Sequence, residues 1–243
     1  MKYYTVTYEV EGPDIADAAH NIAIGQSIGN PNIRSEIENA PNIKAFEALV
    51  HSIEGNIVKI DYPLDAFIWP NISQLLCIIQ GGQSDIACVE RCRVIAIDGL
   101  PYLNRPVLGM KRFKERVGAE TRPLFGAIVK PKSGLNVEQL VSIVTEMIDG
   151  GADFIKEDEI LANTTYLPLW QRVDAISELI SKKNSKVLYS YCVNADPWQL
   201  TGNLQQVRTR GGDCVHINFW SGLGAYTTAH KWGLACHYQR SGI

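Results

Sequence analysis

The sequence predicts an α/β protein: an N-terminal ferredoxin-like α+β domain over residues 1–110, followed over residues 111–243 by an incomplete TIM (β/α)8 barrel with about five of its eight strands. Three observations carry this. The first hundred residues run strand, helix, strands, helix, strand. Beyond residue 122 the rhythm changes to strand, loop, helix, repeated. In that second part polar side chains recur at the end of each apolar strand.

In the first part, Tyr3 to Val10 alternates as a strand does, and Pro13-Asp14 followed by an Ala-rich run through Ala23 reads as a helix start. The polar loop Gly25 to Asn32 is read as a connection, with a ligand-facing role left open. Runs at Ala45 to Ile53 and Gly55 to Ile60 are strands joined at Glu54-Gly55-Asn56. Asn71 or Ser73 caps a helix through Ile79, which Gly81-Gly82 ends, and Arg91 to Ile97 is a further strand. The basic stretch 106–122, with Lys111-Arg112-Phe113-Lys114-Glu115-Arg116, reads as a solvated linker or helix face.

In the second part, Leu124 to Val129, Asp153 to Ile155, Lys186 to Val193, Cys214 to Phe219 and Leu234 to Tyr238 are the strands. Helices span Val137 to Asp149, Leu169 to Lys182, Trp198 to Thr209 and Gly224 to Lys231, and Gly150-Gly151 and Gly211-Gly212 act as stops. Continuous apolar strands alternating with helices imply a parallel sheet covered on both faces. An open sheet and a barrel both fit that rhythm. The polar residues favour a barrel, because Lys130 and Lys132, Lys156 to Glu159, Asn194, His216 and Asn218, and His237, Gln239 and Arg240 would then share its C-terminal face.

Composition narrows the function classes. A net charge of −3 with dispersed Lys and Arg gives no nucleic-acid footprint and no membrane-surface patch. There is no apolar run of membrane-spanning length and no apolar signal core near Met1, so a cytoplasmic protein is expected. Six scattered cysteines fit buried free thiols better than a disulfide scaffold, and Cys88 and Cys92 lack partners for zinc.

The chemistry concentrates at Lys156-Glu157-Asp158-Glu159, ionisable side chains at the exit of a buried strand. Taken alone this is a charged turn or a site for a hard divalent cation such as Mg2+. Together with Gly126-Ala127-Ile128-Val129-Lys130-Pro131-Lys132-Ser133-Gly134-Leu135, the stretch Gly150 to Glu159 resembles the paired signatures of the RuBisCO large-subunit superfamily. Tyr62-Pro63-Leu64, Asn71 to Gly82, Val215-His216-Ile217-Asn218 and His237-Tyr238-Gln239-Arg240 extend the resemblance over nearly the whole chain.

The resemblance implies a lysine carbamate at Lys156, formed with CO2 as activator, that binds one Mg2+ with Asp158 and Glu159. It implies that Lys130 and Lys132 are catalytic, that Arg240 and His237 contact a phosphorylated small-molecule substrate, and that the protein is a homodimer. A lysine base must shed its proton near neutrality, which burial and neighbouring positive charge promote. Glu157 stands where the family usually has an Asp that is not a ligand.

The departures set the expected reaction. Gly25, Asn30, Pro31 and Gly82 stand where carboxylating members have a Glu, a Thr, a Trp and an Asn, and Gln239 replaces a histidine. The resemblance is therefore closest to RuBisCO-like proteins of the form IV type. The reading is Mg2+-dependent enolisation of a phosphorylated ketose or keto acid, of isomerase, tautomerase or decarboxylase type. The alternatives are ribulose-bisphosphate carboxylation and, for these 243 residues alone, an inert fragment or interaction module. Five strands where the fold has eight point to a fragment with an exposed sheet edge.

Overall fold

The computed structural model describes residues 2–29, 31, 36–66, 68–101 and 107–240. Asn30, Asn32, Pro106 and the last three residues lie outside them. The chain forms two compact units, Met1–Leu103 and Asn104–Ile243.

The first unit is a four-stranded antiparallel sheet of β1 (Tyr3–Glu11), β2 (Leu49–Glu54), β3 (Ile57–Pro63) and β4 (Arg91–Asp98), in the order β2-β3-β1-β4. With helices α1 (Ile15–Gly25) and α3 (Ile72–Gln80) after β1 and β3, this is the β-α-β-β-α-β arrangement; α2 (Pro41–Lys44) is one short turn. Period-2 alternation puts Tyr4, Val6, Tyr8 and Val10 of β1 into the core beside Val58, Ile60 and Tyr62 of β3. Ala18, Ala19, Ile22, Leu75 and Ile79 belong to the same core. The buried Tyr8 hydroxyl donates to the Ile79 carbonyl at 2.9 Å and lies 3.0 Å from the Tyr62 hydroxyl. Asp14 caps α1 by accepting from the Ala16 and Asp17 amides, and Asn71 caps α3. Gly55, at φ 62°, supplies the left-handed first position of the two-residue turn joining β2 to β3.

The second unit is a five-stranded parallel sheet in sequential order: β5 (Gly126–Ile128), β6 (Phe154–Lys156), β7 (Leu188–Cys192), β8 (Cys214–Asn218) and β9 (Ala235–Gln239). Helices α5 (Val137–Asp149), α6 (Leu169–Lys182), α7 (Pro197–Thr209) and α8 (Gly224–Lys231) make the crossovers. Ile155, Tyr189, Tyr191, Val215 and Ile217 belong to one core with Leu140, Val144, Val173, Ile176, Leu204 and Ala229 of the helices. The pairing register puts Phe154, Lys156, Leu188, Ser190, Cys192, Cys214, His216, Ala235, His237 and Gln239 on the opposite face. Asn136 opens α5 with a reciprocal capping box to Gln139.

Three expectations are corrected. The five parallel strands are not all buried: β7 and β8 are, whereas β5 and β9, at the two edges of the sheet, carry exposed residues such as Ile128 and Tyr238. The basic stretch takes the helix of its two readings, not the linker, and that helix is packed on one side. Met110–Val117 is helix α4, whose Phe113 ring meets Phe154 edge-on at 6.2 Å and packs with Leu108 against Leu188, Cys214 and Ala235. Arg116 of α4 donates to the carbonyls of Lys186 and Val187 and pairs with Asp213, just before β7 and β8 begin. Of the six free cysteines only Cys192 and Cys214 are buried, and Cys77 and Cys236 are exposed. Among the described residues no helix is long and apolar enough to cross a membrane.

Candidate active site at the C-terminal ends of the parallel strands

Lys156 is the last residue of β6, one place further along the strand than the sequence pattern predicts. Strand alternation sorts its neighbours. Lys156 shares one face of the sheet with His216 and Gln239, whereas the Glu157 side chain is fully buried elsewhere. There Glu157 accepts from Arg172 Nε at 2.9 Å, from the Tyr189 hydroxyl at 3.1 Å and from the Cys192 amide at 2.7 Å. Glu157, which stands where the family usually has an Asp, is thus the hub of a buried ionic network. Arg172 was not singled out from the sequence, although its place on the apolar stripe Leu169, Val173, Ile176 of α6 was the signal for a buried cation.

Asp158 and Glu159 follow in the loop. The buried Asp158 carboxylate pairs with Lys130, and its second oxygen accepts from the Ile160 amide at 3.3 Å. Burial pushes the Asp158 pKa up, but the Lys130 hydrogen bond, the Ile160 amide and the charges of Lys130 and Lys132 outweigh it, so the net shift is downward. Glu159 is also lowered, first by its own backbone amide and further by Lys156. The Glu159 carbonyl accepts from Asn194 Nδ2 at 2.7 Å, and Asn194 Oδ1 accepts from the Asn218 amide at 2.7 Å, which ties the loop after β6 to β8.

The two lysines after β5 lie at the surface. The Lys130 side chain is 58% exposed and its ammonium rests on Asp158, while Lys132 is exposed and acts on Asp158 through its charge. Lys130 is therefore held at the solvent edge of the strand ends by Asp158.

Lys156 is buried, and its Nζ reaches Glu159 Oε2 at 3.5 Å and Gln239 Oε1 at 3.1 Å. Three aromatic rings line the same side. His237 stacks on Phe154 at 5.0 Å and meets His216 edge-on at 5.4 Å, so its ring packs within the strand layer, and Arg240 is exposed just past β9. His216 Nδ1 lies 3.1 Å from the Glu157 carbonyl, which can only accept, so that nitrogen carries the proton. The other ring nitrogen, Nε2, is buried without a hydrogen-bond partner. Burial, with Lys156 and His237 nearby, pushes the His216 pKa down to about 4.

This donor set can be tested against Mg2+. Among the described residues no group of three His, Cys, Asp or Glu side chains comes together. Asp158 and Glu159 supply two hard oxygen donors beside a buried lysine, a set that fits Mg2+ with water, and a carbamate on Lys156 would add a third. The orphaned His216 nitrogen on the same face is a further sign that the site is built around a group still to be added.

Residues 109–243 match the family described as ribulose bisphosphate carboxylase large chain, catalytic domain, and residues 3–101 match the N-terminal domain of the same chain. The chain belongs to the ribulose bisphosphate carboxylase large-chain family. Within it, the chain is 33% identical to a 3-oxo-isoapionate-4-phosphate decarboxylase of Rhizobium rhizogenes, over 98% of this chain and 64% of that protein. The solved octameric ribulose-1,5-bisphosphate carboxylase/oxygenase of Pyrococcus horikoshii superimposes with a TM-score of 0.81 at 25% identity, over 98% of this chain and 60% of its own. A RuBisCO-like protein of Burkholderia fungorum shares the fold, with a TM-score of 0.79 at 24% identity over 100% of this chain and 65% of its own. The chain thus spans somewhat less than two thirds of these family members.

An acid-stability prediction arises at the opposite end of β6. Asp153 accepts two hydrogen bonds from Arg122, at 2.5 and 2.6 Å, and one from the Phe125 amide at 2.8 Å. The Arg122 hydrogen bonds, with the amide, hold its pKa below the ordinary value. A carboxylate with a depressed folded pKa stabilises above its unfolded pKa of about 3.9 and loses that stabilisation as pH falls through the folded value. Urea unfolding of wild type and Arg122→Leu is expected to show a stability gap at pH 6 that narrows below about pH 4. A gap that stayed constant down to pH 2.5 would assign the loss to packing.

Proposed function

We propose that this chain supplies the metal-binding and proton-transfer half of a Mg2+-dependent enzyme that passes through the enolate of a phosphorylated keto compound. Decarboxylation of a phosphorylated keto sugar acid is the reaction it fits best. The observation that carries the reading is the convergence of Lys130, Lys156, Asp158 and Glu159 at the C-terminal ends of adjacent strands β5 and β6. The 33% identity to a protein named as a decarboxylase of such a compound supports the outcome after the enolate.

In this reading Lys156, as a carbamate formed with CO2, joins Asp158 and Glu159 to hold one Mg2+. The ion's contribution when bound is to draw charge onto the keto oxygen. Loss of CO2 from a β-keto acid breaks the bond to the carboxylate carbon and leaves the electron pair in an enolate. Protonation at carbon restores the ketone, and Lys130 Nζ, held by Asp158, is the donor. Lys132 adds positive charge beside that pair. Arg240 offers a planar donor fork to the substrate phosphate, and His237 shapes the floor beneath it. Copies of the chain associate as a homodimer in this proposal.

The test presents the protein, with Mg2+ and bicarbonate, with a panel of phosphorylated 3-keto sugar acids and keto-phosphates in deuterated water. CO2 release, with deuterium entering the product carbon, is the expected result. Neither release nor exchange from a sample that melts cooperatively would overturn it, and labelled bicarbonate fixed onto ribulose bisphosphate would assign a carboxylase instead.

A further inference from the structure

The hydrogen bond from Lys156 Nζ to Gln239 Oε1, at 3.1 Å, is shorter than its 3.5 Å contact with Glu159. Gln239 ends β9, three strands along the sheet from β6, so it reaches Lys156 across the face they share. His237 lies two residues earlier on that face. The chemistry of Gln239 suits a lysine that has to react. A carboxylate in this place would lock the amine as an ammonium by charge pairing, whereas a carboxamide is neutral and accepts a hydrogen bond from any nitrogen that still carries a proton.

We infer that Gln239 is the positioning residue that holds Lys156 Nζ for reaction with CO2 and orients the carbamate that results. The inference rests on the carbamylation proposed above. In the step itself the Nζ lone pair attacks the carbon of CO2. The N–C bond forms, one C=O π pair moves onto oxygen as the carboxylate, and one N–H proton leaves to solvent. A single N–H remains, and Gln239 Oε1 accepts it. With that bond fixed the planar carbamate loses its freedom to rotate, and its oxygens turn toward Asp158 and Glu159.

The measurement is 13C NMR of the full chain with 13C-bicarbonate and Mg2+, titrated in CO2 and quantified as lysine carbamate per chain. Wild type is expected to load to one carbamate. Gln239→Leu is expected to need about fivefold to tenfold more CO2, the loss of one hydrogen bond of about 1–1.4 kcal/mol. Gln239→His, which keeps an acceptor nitrogen, is expected within about twofold of wild type on the same hydrogen-bond reasoning. A wild-type chain that takes up no label would sink the carbamylation reading itself. Wild type and Gln239→Leu loading at equal CO2 would leave that reading standing and remove Gln239 from it, as would Gln239→His loading no better than Gln239→Leu.

Discussion

Lys156→Met is expected to abolish turnover, lowering it by about 10³-fold or more, roughly 4 kcal/mol of transition-state stabilisation, while the folded chain melts no lower than wild type. Both halves follow from the burial of that side chain. Its exposure is 5%, and its ammonium has one amide oxygen at 3.1 Å and one carboxylate oxygen at 3.5 Å to offset the loss of water. A buried cation partnered so thinly costs stability, and an unbranched apolar side chain of similar length removes that cost. An ordinary structural lysine would show the reverse pattern. The check is a paired measurement of CO2 release and thermal melting on the same preparation. A clear fall in melting temperature with activity retained would make Lys156 a structural cation and empty the metal site of its third ligand.

Much of this arrangement was legible in the sequence because the signals were periodic. Helices α6 and α8 span Leu169–Lys182 and Gly224–Lys231, the ranges their apolar spacing and flanking turns predict. The doubled glycines marked the ends of α5 and α7, and the polar residues after each apolar run mapped the C-terminal rim. Legibility failed where a residue's environment depends on distant chain. An open sheet edge was legible from the strand count, but that β5 and β9 are the strands at the edges follows from the strand order, which no local pattern encodes. Helix α4 looked like solvated charge because Phe113, which packs against Phe154, is outnumbered by four basic neighbours. The partner that holds Lys130 at the surface, Asp158, lies 28 residues away, beyond the reach of any local pattern.

The Arg172–Glu157 pair is where the sequence was least informative and where a single substitution should cost the fold most. Both side chains are fully buried. Arg172 gives Nε to Glu157 at 2.9 Å, one terminal nitrogen to the Leu167 carbonyl at 2.6 Å, and the other to the carbonyls of Ala162 and Cys192. It therefore pins the loop between β6 and α6, including Ala162, whose φ of 42° is unfavourable for a residue with a side chain. Arg172→Met would leave the Glu157 carboxylate buried with only a tyrosine hydroxyl and a backbone amide, and strip the loop carbonyls of their donor. Breaking one side of such a pair costs about 3–5 kcal/mol, a fall of roughly 10 °C in melting temperature for a chain of this size. The double variant Arg172→Met/Glu157→Gln removes the uncompensated charge while keeping an acceptor for Tyr189 and Cys192, so it should melt several degrees above the single variant. Equal melting of the two would mean that the cost lies in the loop carbonyls and not in the charge. Because Glu157 sits between Lys156 and Asp158, loosening this network should also weaken Mg2+ binding before the chain unfolds, by about 10–100-fold.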